Sequence, residues 1–237
     1  MIVGDMLTGR IGHAMAALAD GRVLIAGGWV TAGDSPRLTA SDSVEIFDPA
    51  TGTSVPAGHL GWARIGHAAS VLDDGSVLIV GGTDGQVLVA TGEIYDPTSM
   101  TSRPTSDVMR LPRWGLTATT LLRGRVLIAG GNDGTQNVGF AEFFDPATET
   151  FAPAPMMLTP RRGHTALRLP QNNSVLLAGG VSGDGSALAT AETYEPWQGS
   201  DGAFVPTGSM SRAHVNGVSG PAAVGVAFVA GGGNGAA

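Results

Sequence analysis

Short apolar runs without polar alternation punctuate the chain, Val23 to Ala26, Val77 to Val80 and Val126 to Ala129, and each stops at a glycine pair. Such a run predicts a strand buried on both faces. A small-residue stretch such as Ala68 to Leu72 precedes it and predicts a strand that fits a crowded axis. Asp20-Gly21 and Asp74-Gly75 supply the positive φ of a hairpin turn between the two, and Asp84-Gly85, Asp133-Gly134 and Asp184-Gly185 mark the next turn. A third strand carries a Glu-x-aromatic triplet and ends at Pro49, Pro97, Pro146 or Pro196, where a missing N–H stops pairing. A short polar fourth strand is expected at the outer edge.

The unit repeats. Glycine pairs stand at Gly27-Gly28, Gly81-Gly82, Gly130-Gly131, Gly179-Gly180 and Gly231-Gly232, at steps of 54, 49, 49 and 52 residues. A period near fifty signals a propeller. The Glu-x-aromatic marker follows as Glu45-Ile-Phe-Asp-Pro49, Glu93-Ile-Tyr-Asp-Pro97, Glu142-Phe-Phe-Asp-Pro146 and Glu192-Thr-Tyr-Glu-Pro196. On these motifs nearly the whole chain resembles the kelch-repeat β-propeller family, of the bacterial, galactose-oxidase-like type. The resemblance implies an all-β fold of five four-stranded blades in one domain, 1–237. The blades are expected at about 10–60, 64–109, 113–157 and 161–210, with a fifth from 211–235 plus 1–9. Met6 precedes Arg10 as Leu60 precedes Arg64, so Met1 to Met6 reads as the last strand of the fifth blade. From Met210 the chain supplies a strand near Asn216 to Ser219 and another at Val224 to Ala230, then stops in Gly231-Gly232-Gly233-Asn234-Gly235. That blade lacks its third strand, and the termini are expected to close it. The alternative is a fragment of a larger ring.

Composition narrows the partners. The formal charge is −7, and all 13 basic residues are arginine. That balance argues against a nucleic-acid or anionic-membrane binder, which needs a basic surface. There is no cysteine, hence no disulfide and no thiolate metal site. No apolar run reaches the roughly 18 residues of a membrane span, and Met1 to Arg10 lacks the build of a signal peptide. A soluble, monomeric chain is expected, cytoplasmic or secreted with its signal already removed.

Whatever recurs in every repeat is explained most economically by the fold. Arg10, Arg64, Arg113 and Arg161 recur, and so do Glu45, Glu93, Glu142 and Glu192, which predicts buried Arg–Glu pairs. His13, His67 and His164 share one register position, where Leu116 and Gly217 stand in the other two blades; His214 falls at the arginine position. Three imidazoles at one axis suggest either a divalent metal site with an open position or hydrogen bonds to neighbouring blades. The departures from the repeat lie elsewhere. From the second glycine of the pair to the glutamate of the Glu-x-aromatic, blade one steps 17 positions, where the next three step 11, 11 and 12. The extra stretch, Trp29 to Ala40, carries Trp29, Asp34 and Arg37. In kelch propellers the loops after the second strand and before the first open on one face. Here the second set brings Trp62 beside Arg64, Trp114 beside Arg113, and Arg161-Arg162. Tryptophan and arginine are the commonest binding anchors. Packing of each tryptophan within its own loop is the alternative, and Trp197, on the opposite face, reads as structural.

Two functions follow. The first is a non-catalytic binding module that takes an acidic peptide, protein or glycan on the loop face, through Trp29, Arg37, Trp62, Arg64, Arg113, Trp114, Arg161 and Arg162, without a cofactor. The second is a small-molecule enzyme, a lyase, isomerase or hydrolase, with His13, His67 and His164 as metal ligands or as acid and base. Known enzyme signatures of this propeller type are missing. The cysteine-linked tyrosine of the copper oxidases cannot form, and no histidine completes the Glu-x-x-x-Asp-x-x-x-His run of the iron-dependent specifier proteins.

Overall fold

Each apolar run becomes an inner strand of an antiparallel sheet. The computed structural model describes residues 4–31, 37–223 and 226–233, and no helix occurs among them. Two compact units divide the chain, Met1–Trp114 and Gly115–Ala237. The boundary falls at the start of the third repeat.

In the first unit the strands are β1 (Arg10–Ile11), β2 (Ala14–Ala17), β3 (Val23–Ala26), β4 (Trp29–Thr31), β5 (Leu38–Ala40), β6 (Ser43–Asp48), β7 (Thr53–His59), β8 (Ala68–Val71), β9 (Val77–Val80), β10 (Thr91–Asp96) and β11 (Thr101–Val108). They form two blades, β2-β3-β6-β7 and β8-β9-β10-β11, and an accessory sheet β1-β4-β5. The second unit has β12 (Thr117–Thr120), β13 (Val126–Ala129), β14 (Ala141–Asp145) and β15 (Thr150–Pro153) in one blade. The next blade is β16 (Thr165–Arg168), β17 (Val175–Ala178), β18 (Ala191–Glu195) and β19 (Ala203–Pro206). A two-stranded sheet follows, β20 (Val218–Ala223) with β21 (Val226–Ala230).

The third strands all stop one residue before their proline, as the missing N–H requires. The fourth strands sit at the sheet edge, but in the first unit they are not short: β7 and β11 have 7 and 8 residues. Bulges between Ser43 and Glu45 and between Thr91 and Glu93 let these long edges bend along their partners. Residues 1–3 of the expected N-terminal strand lie outside the described residues, and residues 4–9 form no strand. Asn234 and Gly235 also lie outside them, as does the start of the expected Val224 to Ala230 strand.

Within each unit one blade packs on the next. Leu24, Val44 and Ile46 of blade one meet Val77, Ile79 and Tyr95 of blade two. Leu127, Ala141 and Phe143 meet Val175, Leu177 and Tyr194 in the second unit. The aromatic of the Glu-x-aromatic triplet is the bridging group. Tyr95 is fully buried and donates its hydroxyl to Ala57 O of the preceding blade at 2.6 Å, and burial pushes its pKa up to about 12.

The glycine pairs join the blades through the main chain. Gly28 N donates to Arg64 O at 2.7 Å, Gly82 N to Arg113 O at 2.9 Å, Gly131 N to Arg161 O at 2.8 Å and Gly180 N to His214 O at 2.7 Å. At Gly27, Gly130 and Gly179 the first glycine of the pair has no room for a side chain. At Gly27, φ +65°, an added Cβ would lie 2.6 Å from Arg64 O and 2.6 Å from His67 Cε1.

Candidate ligand-binding loops

The arginine that opens each repeat is drawn into the blade. Arg10, Arg64 and Arg161 pair with Glu45, Glu93 and Glu192 at 2.5, 2.8 and 3.1 Å, every one of these groups being buried. Their NH1 groups also donate to Gly27 O, Gly81 O and Gly179 O of their own blade at 2.7, 2.9 and 2.8 Å. The carboxylate has a second duty. Glu45, Glu93 and Glu192 accept the N–H groups of Leu7, Gly61 and Leu158 at 2.7, 2.5 and 2.7 Å, where the chain enters the blade. Leu7 thus occupies the register of Gly61 and Leu158, as its spacing from Arg10 predicts.

Arg64, Arg113 and Arg161 are 0 % exposed, so these three members of the expected anchor set face inward. The next residue faces the other way, because successive side chains of an extended segment point to opposite sides. Ile11, Trp114 and Arg162 occupy this outward position. Ile65 and Arg162 bridge to Thr83 and Val181, which pair on to Leu88 and Ala187. The loop before the first strand and the loop after the second are therefore hydrogen-bonded neighbours. In blade one the insertion lengthens this same bridge into β1-β4-β5, with Ile11 opposite Trp29 and Trp29 opposite Ala40.

Trp29 reaches across to the next blade. Its indole edge lies over the blade-two turn, 2.8 Å from where a Cβ on Gly85 would stand, and it stays partly exposed. Trp62 is 43 % exposed and stacks beside Arg64, whose Cζ is 6.0 Å from its ring centroid. Trp114 is half-buried, and Arg37 is exposed at the start of β5. Asp34 lies outside the described residues. In the second unit Arg162 is half-buried, in the register position that Trp114 holds in the first.

The histidines point into the blades. The His67 ring lies against Gly27, and the His164 ring against Gly130, 2.7 Å from a Cβ placed there. His164 Nε2 is 3.0 Å from Thr117 Oγ1. Burial, helped by the adjacent Arg64 and Arg161 cations, pulls both imidazoles down to about 3. His13 is lowered too, by burial and by Arg10. Among the described residues no group of three or more histidine or acidic side chains is gathered closely enough to hold a metal ion.

Comparison with known proteins fits this geometry. Residues 64–107 match the Kelch motif model. The chain superposes on the structure titled "Structure of YjhT" with a TM-score of 0.75 at 15 % identity, covering 89 % of this chain and 74 % of that one. Residues 64–107 thus carry a Kelch motif, and the chain shares the fold of that structure. No curated protein matches the chain in sequence.

Two features of these repeats go beyond what spacing gave. Trp197, expected to be structural, is 52 % exposed, more than any other described tryptophan. His214, at the arginine position of the last repeat, reproduces the arginine's bond: its Nδ1 donates to Gly231 O at 2.9 Å. The register of His214 was legible; its bond needed the backbone.

Proposed function

We propose that this kelch propeller is a non-catalytic interaction module that takes an acidic or carbohydrate ligand on its loop face. The ligand would lie on the first unit, where Trp29, Trp62 and Trp114 offer stacking surface and Arg37 a cation. The observation that carries this reading is the accessory sheet β1-β4-β5. The described parts of the long insertion, Trp29–Thr31 and Leu38–Ala40, pair as an extension of the loop pairing and bring Trp29 to the neighbouring blade's turn while leaving it partly exposed. Exposed aromatic rings beside guanidinium groups bind anionic or ring-shaped partners well. Acid–base catalysis by the repeat histidines is less well supported, because imidazoles held near pKa 3 do not titrate near neutral pH.

The test is a glycan and acidic-peptide array followed by titration of the best hit. Trp29→Ala and Trp62→Ala are expected to weaken binding tenfold or more while circular dichroism stays unchanged. Full affinity in the double variant would refute the site.

A further inference from the structure

A second arginine–tryptophan cluster lies away from the loop face, wholly within the second unit. The β12–β13 turn and the β18–β19 turn border an open cleft of ≈ 680 Å³, lined by Leu122, Arg123, Arg125, Asp145, Asn173 and Trp197 among others. The repeat register shows how unusual this turn is. Blades one and two have Asp20 and Asp74 where blade three has Arg123, and those carboxylates serve their own turns, accepting Arg22 N at 3.0 Å and Ser76 N at 2.9 Å. Arg22 is also paired with Asp20 at 2.8 Å.

Blade three replaces this self-satisfied turn with Arg123-Gly124-Arg125. Among the described residues neither arginine has a carboxylate within ion-pair distance. Arg125 is steadied over the Phe143 ring, 4.1 Å from its centroid. Arg123 holds φ +75°, a backbone conformation that strains any residue with a side chain and suits glycine. Asn173 Oδ1 accepts Leu122 N at 2.7 Å, which leaves its Nδ2 to donate. The cleft thus gathers two guanidinium groups and an amide donor around an indole that is 52 % exposed, against one acidic side chain, Asp145. Asp145 already accepts Ala147 N at 2.9 Å.

A donor-rich set facing an exposed flat ring selects a ligand that has both an anionic acceptor and an apolar ring face. An open cleft also suits a chain-like ligand better than a deep apolar anchor. We propose that this cleft binds an acidic oligosaccharide, with a uronate carboxylate on Arg123 and Arg125 and a pyranose face on Trp197. It is independent of the loop-face reading.

The experiment titrates the full chain with tetragalacturonate, with cellotetraose as the neutral control, by calorimetry and tryptophan fluorescence. Wild type should bind tetragalacturonate and not cellotetraose, and added salt should weaken binding. Trp197→Ala and Arg123→Gly should each raise Kd at least tenfold, and Arg22→Ala, at the matching turn of blade one, should leave it unchanged. Glycine accepts the Arg123 backbone conformation, so an unlowered melting temperature in Arg123→Gly assigns its loss to the guanidinium. The proposal is overturned by no binding in wild type, by equal affinity for cellotetraose, or by wild-type affinity in either cleft variant. Inorganic phosphate competing at equal concentration would also overturn it, by assigning the cleft to a bare anion.

Discussion

The recurring Arg–Glu pair is first a property of single residues. A guanidinium taken fully out of water is tolerable only because a carboxylate and two or more carbonyls meet it, and Arg64 has Glu93, Gly81 O and Thr91 O. Removing the anion strands the cation. Glu93→Ala is therefore expected to destabilise the protein by about 3–5 kcal/mol, read from urea unfolding. It also deprives Gly61 N and Ser102 Oγ of their acceptor. Buried His67 and His164 give a second residue-scale prediction. Their folded pKa values lie below the ordinary imidazole value of 6.5, so below that pH the unfolded chain takes up protons that the folded chain refuses. The stability they contribute is complete above pH 6.5 and falls as the pH drops toward 3, by up to about 1.4 kcal/mol per pH unit for each. Urea midpoints between pH 7.5 and 4.5 should fall in wild type and fall less in His67→Asn. A flat profile in wild type would show that these imidazoles protonate freely.

At the scale of elements, strand positions followed from apolar runs, turn glycines and terminal prolines, because those signals are local. The direction of a side chain was harder to see. Arg113 and Trp114 are adjacent and both belong to the residue classes that bind ligands, yet alternation along an extended segment buries the first and turns the second toward the loops. The surroundings of Trp197 were hidden for a related reason: its neighbours in space, the β12–β13 turn and Asn173, lie far from it in sequence. The glycine pair shows the same limit. Its recurrence was plain, whereas the carbonyl pressing on it from the next blade was not. Gly27→Ala should be severe, since it adds left-handed strain of about 1–2 kcal/mol to a 2.6 Å clash with Arg64 O. Gly21→Ala, at φ +86° with nothing within 4 Å, should show the strain alone. Comparing their urea midpoints separates the two causes, and equal losses would mean that the clash relaxes.

Across the whole molecule, stability should be uneven. Four-stranded sheets in both units bury their second strands completely or nearly so, whereas among the described residues β20 and β21 form a two-stranded sheet whose repeat has His214 in place of arginine. Hairpins without further strands are marginal. In hydrogen-exchange mass spectrometry the amides of β20 and β21 are expected to exchange well before those of β3, β9, β13 and β17; simultaneous exchange would indicate one cooperative unit.

The N–H of each second glycine finds the carbonyl that opens the following repeat, whether that carbonyl belongs to Arg64, Arg113, Arg161 or His214. This contact asks nothing of the residue's identity. A gene that duplicates or deletes one stretch of about fifty codons would find matching joints on both sides of the change. The number of modules can therefore drift during evolution while every seam remains intact, and individual copies are left free to acquire the insertions and charge reversals that distinguish them.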